Sequence, residues 1–493
     1  MKRCLTSCVA TLVLGLAFRM SAWAQWSSDP NLNLALSDIS GADQVQPKLV
    51  PLPNNSWYVS WFNNNPNDAL PRGYDTYLQS LNASGFEQFP HDGIQVAKLT
   101  NSSTEDYGLD VDPQGNALLA FLDTREGANQ QVTAAKISPG GQALWGTHGV
   151  QLTVGNPSAH QPKIAATSDR GAVVAWVAAP STACVVLQKL DANGRPMWPV
   201  SRSSSSPGLT LCEAGANFLL ADLHASDHGS VIVSWVRYTG FFSNRLLYAN
   251  KVSASGQLLW GAGHVKVFDG GSLQTGNFPA FLSDGSGGAV FSWYSNSPSL
   301  QCYVQHILAN GTESFPHNGV VASTNSSQIR VSPAASYRPS TQEIFLFWEE
   351  ENSLQSMSGV YGQKFDSTGA RQWGDSGLVI VALQSNAELF ARTVQIGDGA
   401  FLFWVDQSVT QQGTIQGIRL DNAGRSVCRQ FAVSSVLAQK AGPWAGIARS
   451  RLTAIAFQDY RSGNSDIYIQ NVNPDCTLGI EDRMFAPGMS SNK

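Results

Sequence analysis

The sequence has few charged residues, and no stretch beyond its N-terminus is apolar enough to cross a membrane. Asp, Glu, Lys and Arg make up 14% of the 493 residues, and the formal net charge is −5. A nucleic-acid-binding surface normally shows clustered Lys and Arg, and a membrane-spanning helix needs roughly 20 consecutive apolar residues. Neither pattern occurs, so we expect no nucleic-acid partner and no membrane span.

Several signatures of catalysis and cofactor binding are missing as well. The seven cysteines include no adjacent pair and no CxxC pair of the kind found in zinc and redox sites. HExxH, GxSxG and a phosphate-binding glycine loop with lysine do not occur. Helical periodicity is also absent over any useful length. We therefore expect an all-β chain with no catalytic residue, metal ligand or cofactor to assign.

The N-terminus has the pattern of a secretory signal peptide. A basic start at Lys2 and Arg3 precedes the short apolar stretch Val9–Phe18 and the small-residue cleavage site Ala22-Trp23-Ala24. Removal of residues 1–24 would change the net charge from −5 to −8, because three basic residues and no acidic residue are lost. We expect a secreted or periplasmic protein that is monomeric.

Aromatic residues recur in two columns with a period of 53 to 62 residues. In the first column the aromatic residue follows a glycine by four positions, with a degenerate last member: Gly85/Phe89, Gly141/Trp145, Gly194/Trp198, Gly256/Trp260, Gly311/Phe315, Gly369/Trp373 and Gly424/Cys428. In the second column it closes an apolar run: Trp61, Phe121, Trp176, Trp235, Trp293, Trp348, Trp404 and Phe457. Periods of this length are typical of propellers and solenoids.

Each repeat predicts four short strands. In one of them, Lys163–Thr167, Ala172–Trp176 and Cys184–Leu190 are the first three strands, and Gly149–Val154 is the fourth strand of the preceding repeat. Asp, Asn and Gly supply the turns, since glycine accepts positive φ and Asx side chains bond to their own backbone. Four such strands form one antiparallel propeller blade, in which large rings fill the gaps between neighbouring blades.

The second column predicts eight blades, and the first column, with seven members, leaves seven blades as the alternative. The N-terminus supplies a missing strand, since the segment from Trp26 resembles Trp373–Ile380 with a shift of one residue. Residues about 26–37 are therefore expected to form the outer strand of the last blade. The propeller would span residues 25–480, followed by a loose tail at 481–493.

Export permits disulfides, and five cysteines would remain after signal cleavage. Cys184 and Cys212 bracket one repeat, and Cys428 and Cys476 lie in consecutive repeats. These two pairings are expected, although spacing alone does not establish connectivity. Cys302 would then be a buried thiol.

Two turns resemble known propeller families. The segment Leu190–Trp198 (LDANGRPMW) is similar to the tryptophan-docking repeat of quinoprotein dehydrogenases and their cofactor-free relatives, and Thr167–Trp176 loosely resembles the Asp-box of sialidases. The whole chain most resembles secreted bacterial β-propeller repeat proteins. The resemblance implies the fold and not an activity. Quinoprotein dehydrogenases share a pair of adjacent cysteines at their cofactor, which this chain lacks.

The loops after the second strand and before the first strand emerge on one face of a propeller, where binding sites usually lie. They carry acidic and basic residues that we take as candidate ligand contacts: Asp123, Arg125, Arg237, Glu349, Glu350, Arg392, Asp406, Asp459 and Arg461. As ligand contacts the acids would bind a cation or sugar hydroxyls. Sialidases clamp a carboxylate with three arginines, but Arg125, Arg237, Arg392 and Arg461 lie in no recognisable motif of that kind. The alternative for the aromatic-x-Asp-x-Arg pattern is an ion pair that closes the loop.

Three functions remain open. The favoured hypothesis is a non-catalytic protein that binds a glycan or a protein partner through its loop face. A polysaccharide hydrolase or lyase would instead require carboxylates that converge in one pocket at the channel mouth. A structural module of an envelope or surface assembly would show a broad apolar patch on one face.

Overall fold

The computed structural model describes residues 25–64, 73–97, 106–124, 130–153, 159–179, 181–199 and 208–480. The expected signal peptide, the C-terminal tail and Arg125 lie outside these ranges. Within them, the strands form eight antiparallel sheets, one for each predicted blade. The chain is an eight-bladed β-propeller, and the seven-bladed alternative is wrong because the N-terminal strand completes the eighth sheet.

The strands, numbered in chain order, are assigned to the blades as follows. Blades 1 to 4 contain β2–β5 (Asp43–Pro51, Trp57–Asn64, Asp75–Leu81, Ile94–Ala97), β6–β9 (Gly108–Val111, Ala117–Asp123, Gln131–Ile137, Val150–Gln151), β10–β13 (Ala159–Ala166, Ala172–Ala178, Cys184–Leu190, Leu209–Leu211) and β14–β17 (Asn217–Ala225, Val231–Tyr238, Leu246–Val252, Val265–Phe268). Blades 5 to 7 contain β18–β22 (Ser272–Leu273, Phe281–Ser283, Ala289–Ser297, Gln301–Ile307, Val320–Val321), β23–β26 (Ile329–Arg338, Glu343–Glu351, Ser358–Phe365, Leu378–Gln384) and β27–β30 (Ala387–Ile396, Gly399–Gln407, Gly413–Leu420, Phe431–Ala438). Blade 8 contains β31–β33 (Lys440–Ile447, Thr453–Asp459, Asp466–Val472) and β1 (Leu34–Ser37). A single 3-10 turn at Asp227–Gly229 is the described helix, and it has neither the length nor the apolarity to span a membrane.

The second strand of each blade is buried on both faces, which explains the apolar runs in the sequence. In β11 all seven residues from Ala172 to Ala178 are buried. Every ring of the second column is at most 1% exposed. Because a blade packs against a neighbour on each side, its central strand has no solvent-facing residues to alternate with.

The first column joins neighbouring blades. Trp145 donates from Nε1 to the carbonyl of Ala192 at 3.0 Å, and its ring covers Gly194 of the next blade. A Cβ on Gly194 would lie 2.9 Å from Cγ of Trp145. Glycine is therefore required there twice over, for its φ of +82° and for the close approach of the ring. The same ring-on-glycine contact joins six other pairs: Trp26–Gly85, Phe89–Gly141, Trp198–Gly256, Trp260–Gly311, Phe315–Gly369 and Trp373–Gly424.

The N-terminal segment closes the ring as predicted. β1 pairs antiparallel with β33, with Leu34 opposite Ile469. Asn33 donates to the carbonyl of Val433 at 2.9 Å, and Trp26 donates to the carbonyl of Ala83 in blade 1 at 2.9 Å. The paired strand is shorter than the expected residues 26–37, because the residues before it carry the docked tryptophan and a turn.

Both expected disulfides are present. Cys184 and Cys212 lie 5.0 Å apart between Cα atoms, and Cys428 and Cys476 lie 6.4 Å apart. Cys302 is buried and unpaired, also as expected.

Candidate functional site

A recurrent bulge shapes the innermost strand of most blades. Gln46 and Gln161 have φ of +55° and +52°, each is followed by a proline, and the pairing register slips there. Extra residues of this kind re-aim the side chains that follow them. One register position per blade pairs with the residue before the second-column ring, and its occupants are Lys48, Gly108, Lys163, Asp222, Ala334, Arg392 and Trp444. Ala280, next to Phe281, takes this position in blade 5.

In blades 1 to 4 the charged residues at these positions, together with Asp106 two residues before Gly108, bind one another. Asp106 accepts from Lys48 at 2.5 Å and also from Lys163. Asp222 lies 3.9 Å from the Lys163 ammonium and 2.9 Å from Nε2 of His224. Burial alone would raise the pKa of Asp106, but the two ammonium groups outweigh it and hold that pKa below its usual value. This half of the channel is therefore bonded within itself.

In blades 5 to 8 the same positions enclose a cavity of about 580 Å³. The small side chains of Ala280 and Ala334 leave this space open, and Arg392 and Trp444 line it from the neighbouring blades 7 and 8. Blade 5 contributes a loop that interrupts its innermost strand between β18 and β19. This loop brings Asn277, Phe278 and Pro279 into the lining, which also includes Tyr294, Ser332 and Thr393.

Arg392 has no acidic partner among the described residues. Its Nη1 donates to the carbonyl of its neighbour Ala391 at 2.9 Å, and no described carboxylate lies within ion-pair distance. No Asp or Glu is found in the described lining of the cavity. Burial lowers the pKa of Arg392 with no opposing charge to raise it, although a guanidinium stays protonated in proteins. The cavity therefore holds an uncompensated positive charge.

Trp444 is the aromatic wall of the cavity and remains accessible to solvent. It is 38% exposed, whereas the column tryptophans are buried. The Lys48 ammonium lies 5.3 Å from its ring centroid, which connects the charged half of the channel to the cavity.

A second cavity of about 470 Å³ lies where the innermost strands end. Its acids already have partners: Asp110 accepts from the backbone N–H of Ala166 at 2.7 Å, and Asp112 pairs with Lys136 at 2.8 Å. Its cation, Arg449, is exposed to solvent, so its charge needs no partner in the cavity.

Of the eight predicted ligand contacts that the structure describes, only Arg392 lines the channel cavity. The aromatic-x-Asp-x-Arg pattern in blade 8 is an ion pair, since Asp459 accepts from Arg461 at 2.5 Å and from Lys440 at 2.6 Å. Arg461 also donates to Asn33 at 3.0 Å and so helps to hold the closing segment. This geometry is the loop-closing alternative considered above.

Two more predicted residues are held in ion pairs. Glu350 accepts from Nη2 of Arg330 at 3.2 Å and from the indole of Trp348 at 2.9 Å. Arg237 binds Glu213 across blade 4, with Nε 2.7 Å from the carboxylate. Ligand binding by either residue stays a prediction, and it would require breaking an existing pair.

The remaining predicted residues lie at the ends of second strands. Asp123 is buried at the end of β7, and Asp406 accepts from Asn386 at 2.8 Å. Glu349 accepts from the Ser358 hydroxyl at 3.1 Å, and burial, reinforced by Glu351, raises its pKa to about 7.

Sequence reasoning missed most of the cavity lining. Trp444 was outside both aromatic columns, and Ser332 and the loop Gly276–Ala280 carried no motif. A usable signal existed in the X-Pro pairs, since Gly442-Pro443-Trp444 matches Gln46-Pro47-Lys48 in register. Aligning these pairs would have placed Trp444 in the same ring of positions as Lys48.

No protein-family model and no curated protein matches this chain. Among solved structures, it is similar to the β-propeller domain of the trilobed protease from Pyrococcus furiosus (8% identity, 80% of this chain and 98% of that chain, TM-score 0.40). It is also similar to an ulvan lyase (10% identity, 90% and 95%, TM-score 0.43) and to a europium-containing methanol dehydrogenase (10% identity, 89% and 95%, TM-score 0.44). At these values the similarities indicate no activity for this chain.

Proposed function

We propose that this chain is an exported, non-catalytic propeller that binds a glycan in the cavity of its channel. The observation that carries the proposal is the solvent-accessible Trp444 ring in a cavity of about 580 Å³ that also holds amide and hydroxyl groups. Ligand sites in proteins combine apolar and aromatic walls with a few polar groups that fix orientation. A sugar ring offers an apolar face to the indole and hydroxyls to Asn277 and Ser332.

The acids of the channel support binding rather than hydrolysis. Glycoside hydrolysis uses two carboxyl groups roughly 5–9.5 Å apart across the scissile bond. The described lining of the cavity contains none, and Asp106 and Asp222 are bonded to Lys48, Lys163 and His224. A hydrolase would need acids that are already bonded to other partners.

A protein partner is the second candidate, favoured by exposed apolar side chains on loops of one face. Phe241 and Phe242, in the loop after β15, are 76% and 95% exposed. Leu354 and Val409 occupy the corresponding loops of blades 6 and 7 and are also exposed. Exposed apolar groups of this kind mark interaction surfaces when they are contiguous.

One pair of variants separates the two candidates. The chain from residue 25 onward is applied to a glycan array and to a pull-down from the producing cell, together with Trp444→Ala and Phe242→Ser. Glycan binding that is lost in Trp444→Ala and kept in Phe242→Ser supports the proposal. An empty array, with a protein partner lost in Phe242→Ser, would replace it with the second candidate.

A further inference from the structure

We propose that the ligand of the channel cavity carries a carboxylate that pairs with Arg392. The inference rests on the proposed function and names the chemical class that the same site takes, a ring-bearing carboxylate such as a uronic acid. Its starting point is the isolation of Arg392. Other cations of the inner and second strands have acidic partners, as Lys48 has Asp106, Arg330 has Glu350 and Lys440 has Asp459.

A cation kept out of water without a counter-ion is costly, and a buried charge is normally paired. Arg392 is half-buried in the lining of the cavity, and this burial lowers its pKa. An anion in the cavity would restore the missing partner. Because the Nη1 group makes a single bond to the neighbouring carbonyl of Ala391, other N–H groups of the guanidinium remain for a ligand.

The number of unpaired cations in the cavity indicates which type of anion the ligand carries. A guanidinium presents a planar fork of donors that matches the two oxygens of a carboxylate. Dianionic phosphate would favour a second cation, but the other cations of the channel, Lys48 and Lys163, are both held by Asp106. A monoanion with two coplanar oxygens is therefore the best match to the charge available.

The other residues that line the cavity favour a ligand in which the carboxylate is attached to a ring. Trp444, Phe278 and Tyr294 line the cavity, and Asn277 and Ser332 add polar groups. An acidic sugar matches both the aromatic and the polar residues of the lining. Its ring can lie against the indole of Trp444 while its hydroxyls reach Asn277 and Ser332. An aromatic acid shares the carboxylate and the ring but lacks the hydroxyls.

The test measures affinity for three carboxylates and their matched neutral analogues by calorimetry. The pairs are glucuronate with glucose, galacturonate with galactose, and benzoate with benzyl alcohol. Proteins are the wild type, Arg392→Gln and a control, Arg425→Gln, whose residue is an exposed partner of Asp421. Melting curves confirm that each variant is folded.

In the wild type and the control, at least one carboxylate is expected to bind about tenfold tighter than its neutral analogue, the size of a hydrogen bond to a charged group. Arg392→Gln should abolish that preference. Equal affinity for acidic and neutral sugars would overturn this inference and leave the proposed glycan function in place.

Two further results separate the proposals. Binding of benzoate alone, lost in Arg392→Gln, would support the carboxylate site and overturn the glycan function. A preference for carboxylates that persists in Arg392→Gln, or no binding of any of the six compounds, would overturn the assignment of Arg392.

Discussion

Cys428 is bonded to Cys476 at the one blade junction that lacks an aromatic ring over a glycine turn. Cys428 follows Gly424 by four residues, as Trp373 follows Gly369. Cys476 takes the glycine position of the next turn, Asn473–Thr477, with φ of +73°. Ring and glycine are thus both replaced, and a covalent bond makes the contact between blades 7 and 8.

We predict that this disulfide can be exchanged for the contact it replaces. Replacing both cysteines with serine should lower the free energy of unfolding by about 4 kcal/mol, from the closed loop of 48 residues. Cys428→Trp with Cys476→Gly should recover part of that loss, because it restores the arrangement of the other seven junctions. Chemical denaturation of the two double variants provides the comparison, and equal stability of both would show that the two contacts are not equivalent.

We predict that the glycine turns depend on the ring as well as on their backbone conformation. Gly194 and Gly146 have φ of +82° and +88°, but only at Gly194 would a Cβ meet a neighbour, Trp145. Gly146→Ala should therefore cost about 1 kcal/mol from the left-handed backbone. Gly194→Ala should cost a further 1–3 kcal/mol or so from the close contact. Urea unfolding of the pair measures this difference, and similar losses in both would contradict the steric part of the argument.

We predict that the N-terminal segment stabilises the whole ring. Deleting residues 25–40 removes β1 and the docked Trp26, exposes the edge of β33 and should lower the melting temperature sharply. Trp26→Ala alone should cost about 3–5 kcal/mol, in the range of large-to-small core changes. Leu32→Ala, at an exposed position of the same segment, is the control and should have little effect. An unchanged melting curve after the deletion would disprove closure by this strand.

We predict that stability falls as pH rises from about 4.5 to about 7. Burial raises the pKa of Glu349 and of Glu388 to about 7, with help from Glu351 and Asp406 respectively. Because the folded pKa exceeds the ordinary value of 4.5, the folded state binds more protons in this window, and the stabilising protonation is lost on deprotonation. The pKa of His91 and of His317 is also raised, which extends the same trend above pH 6.5.

The glutamates can be separated from the histidines by substitution. Burial opposes protonation of both rings, whereas hydrogen bonds to Asp38 and Glu87, and to Glu313 and Asp269, favour it. Melting temperatures of Glu349→Gln/Glu388→Gln across the range should show a flatter profile below pH 7 than the wild type. If the slope of the double variant matched that of the wild type, the two carboxyl groups would not be its cause.

The fold could be predicted from this sequence because its main determinants are local and repeated. A ring such as Trp176 ends an apolar run because its strand is buried on both faces, and Gly194 precedes Trp198 because a tight turn needs positive φ. Because each blade repeats the same pattern of buried rings and glycine turns, the repeats within this one sequence can be aligned with one another. That alignment predicted eight blades, with seven as the alternative, and the closing strand, and it made the two disulfide pairings plausible without establishing them.

The candidate site did not follow in the same way. Charged residues after the second strands were natural candidates, yet Glu350 and Asp459 have partners from other segments, which the sequence does not show. Arg392 differs from these residues because no described carboxylate lies within ion-pair distance of it. A missing partner cannot be deduced from a residue's own sequence context.

The amino-acid sequence by itself determined how many blades form and how they are fastened together, since periodic burial and turn chemistry act within a few residues. The tertiary structure alone decided where a ligand could bind. Ala334, Arg392 and Trp444 are more than fifty residues apart from one another and meet only because blades 6, 7 and 8 turn the same register position toward one channel. Whether that channel is filled or hollow depends on the side chains of all eight blades together, and no single repeat contains that information.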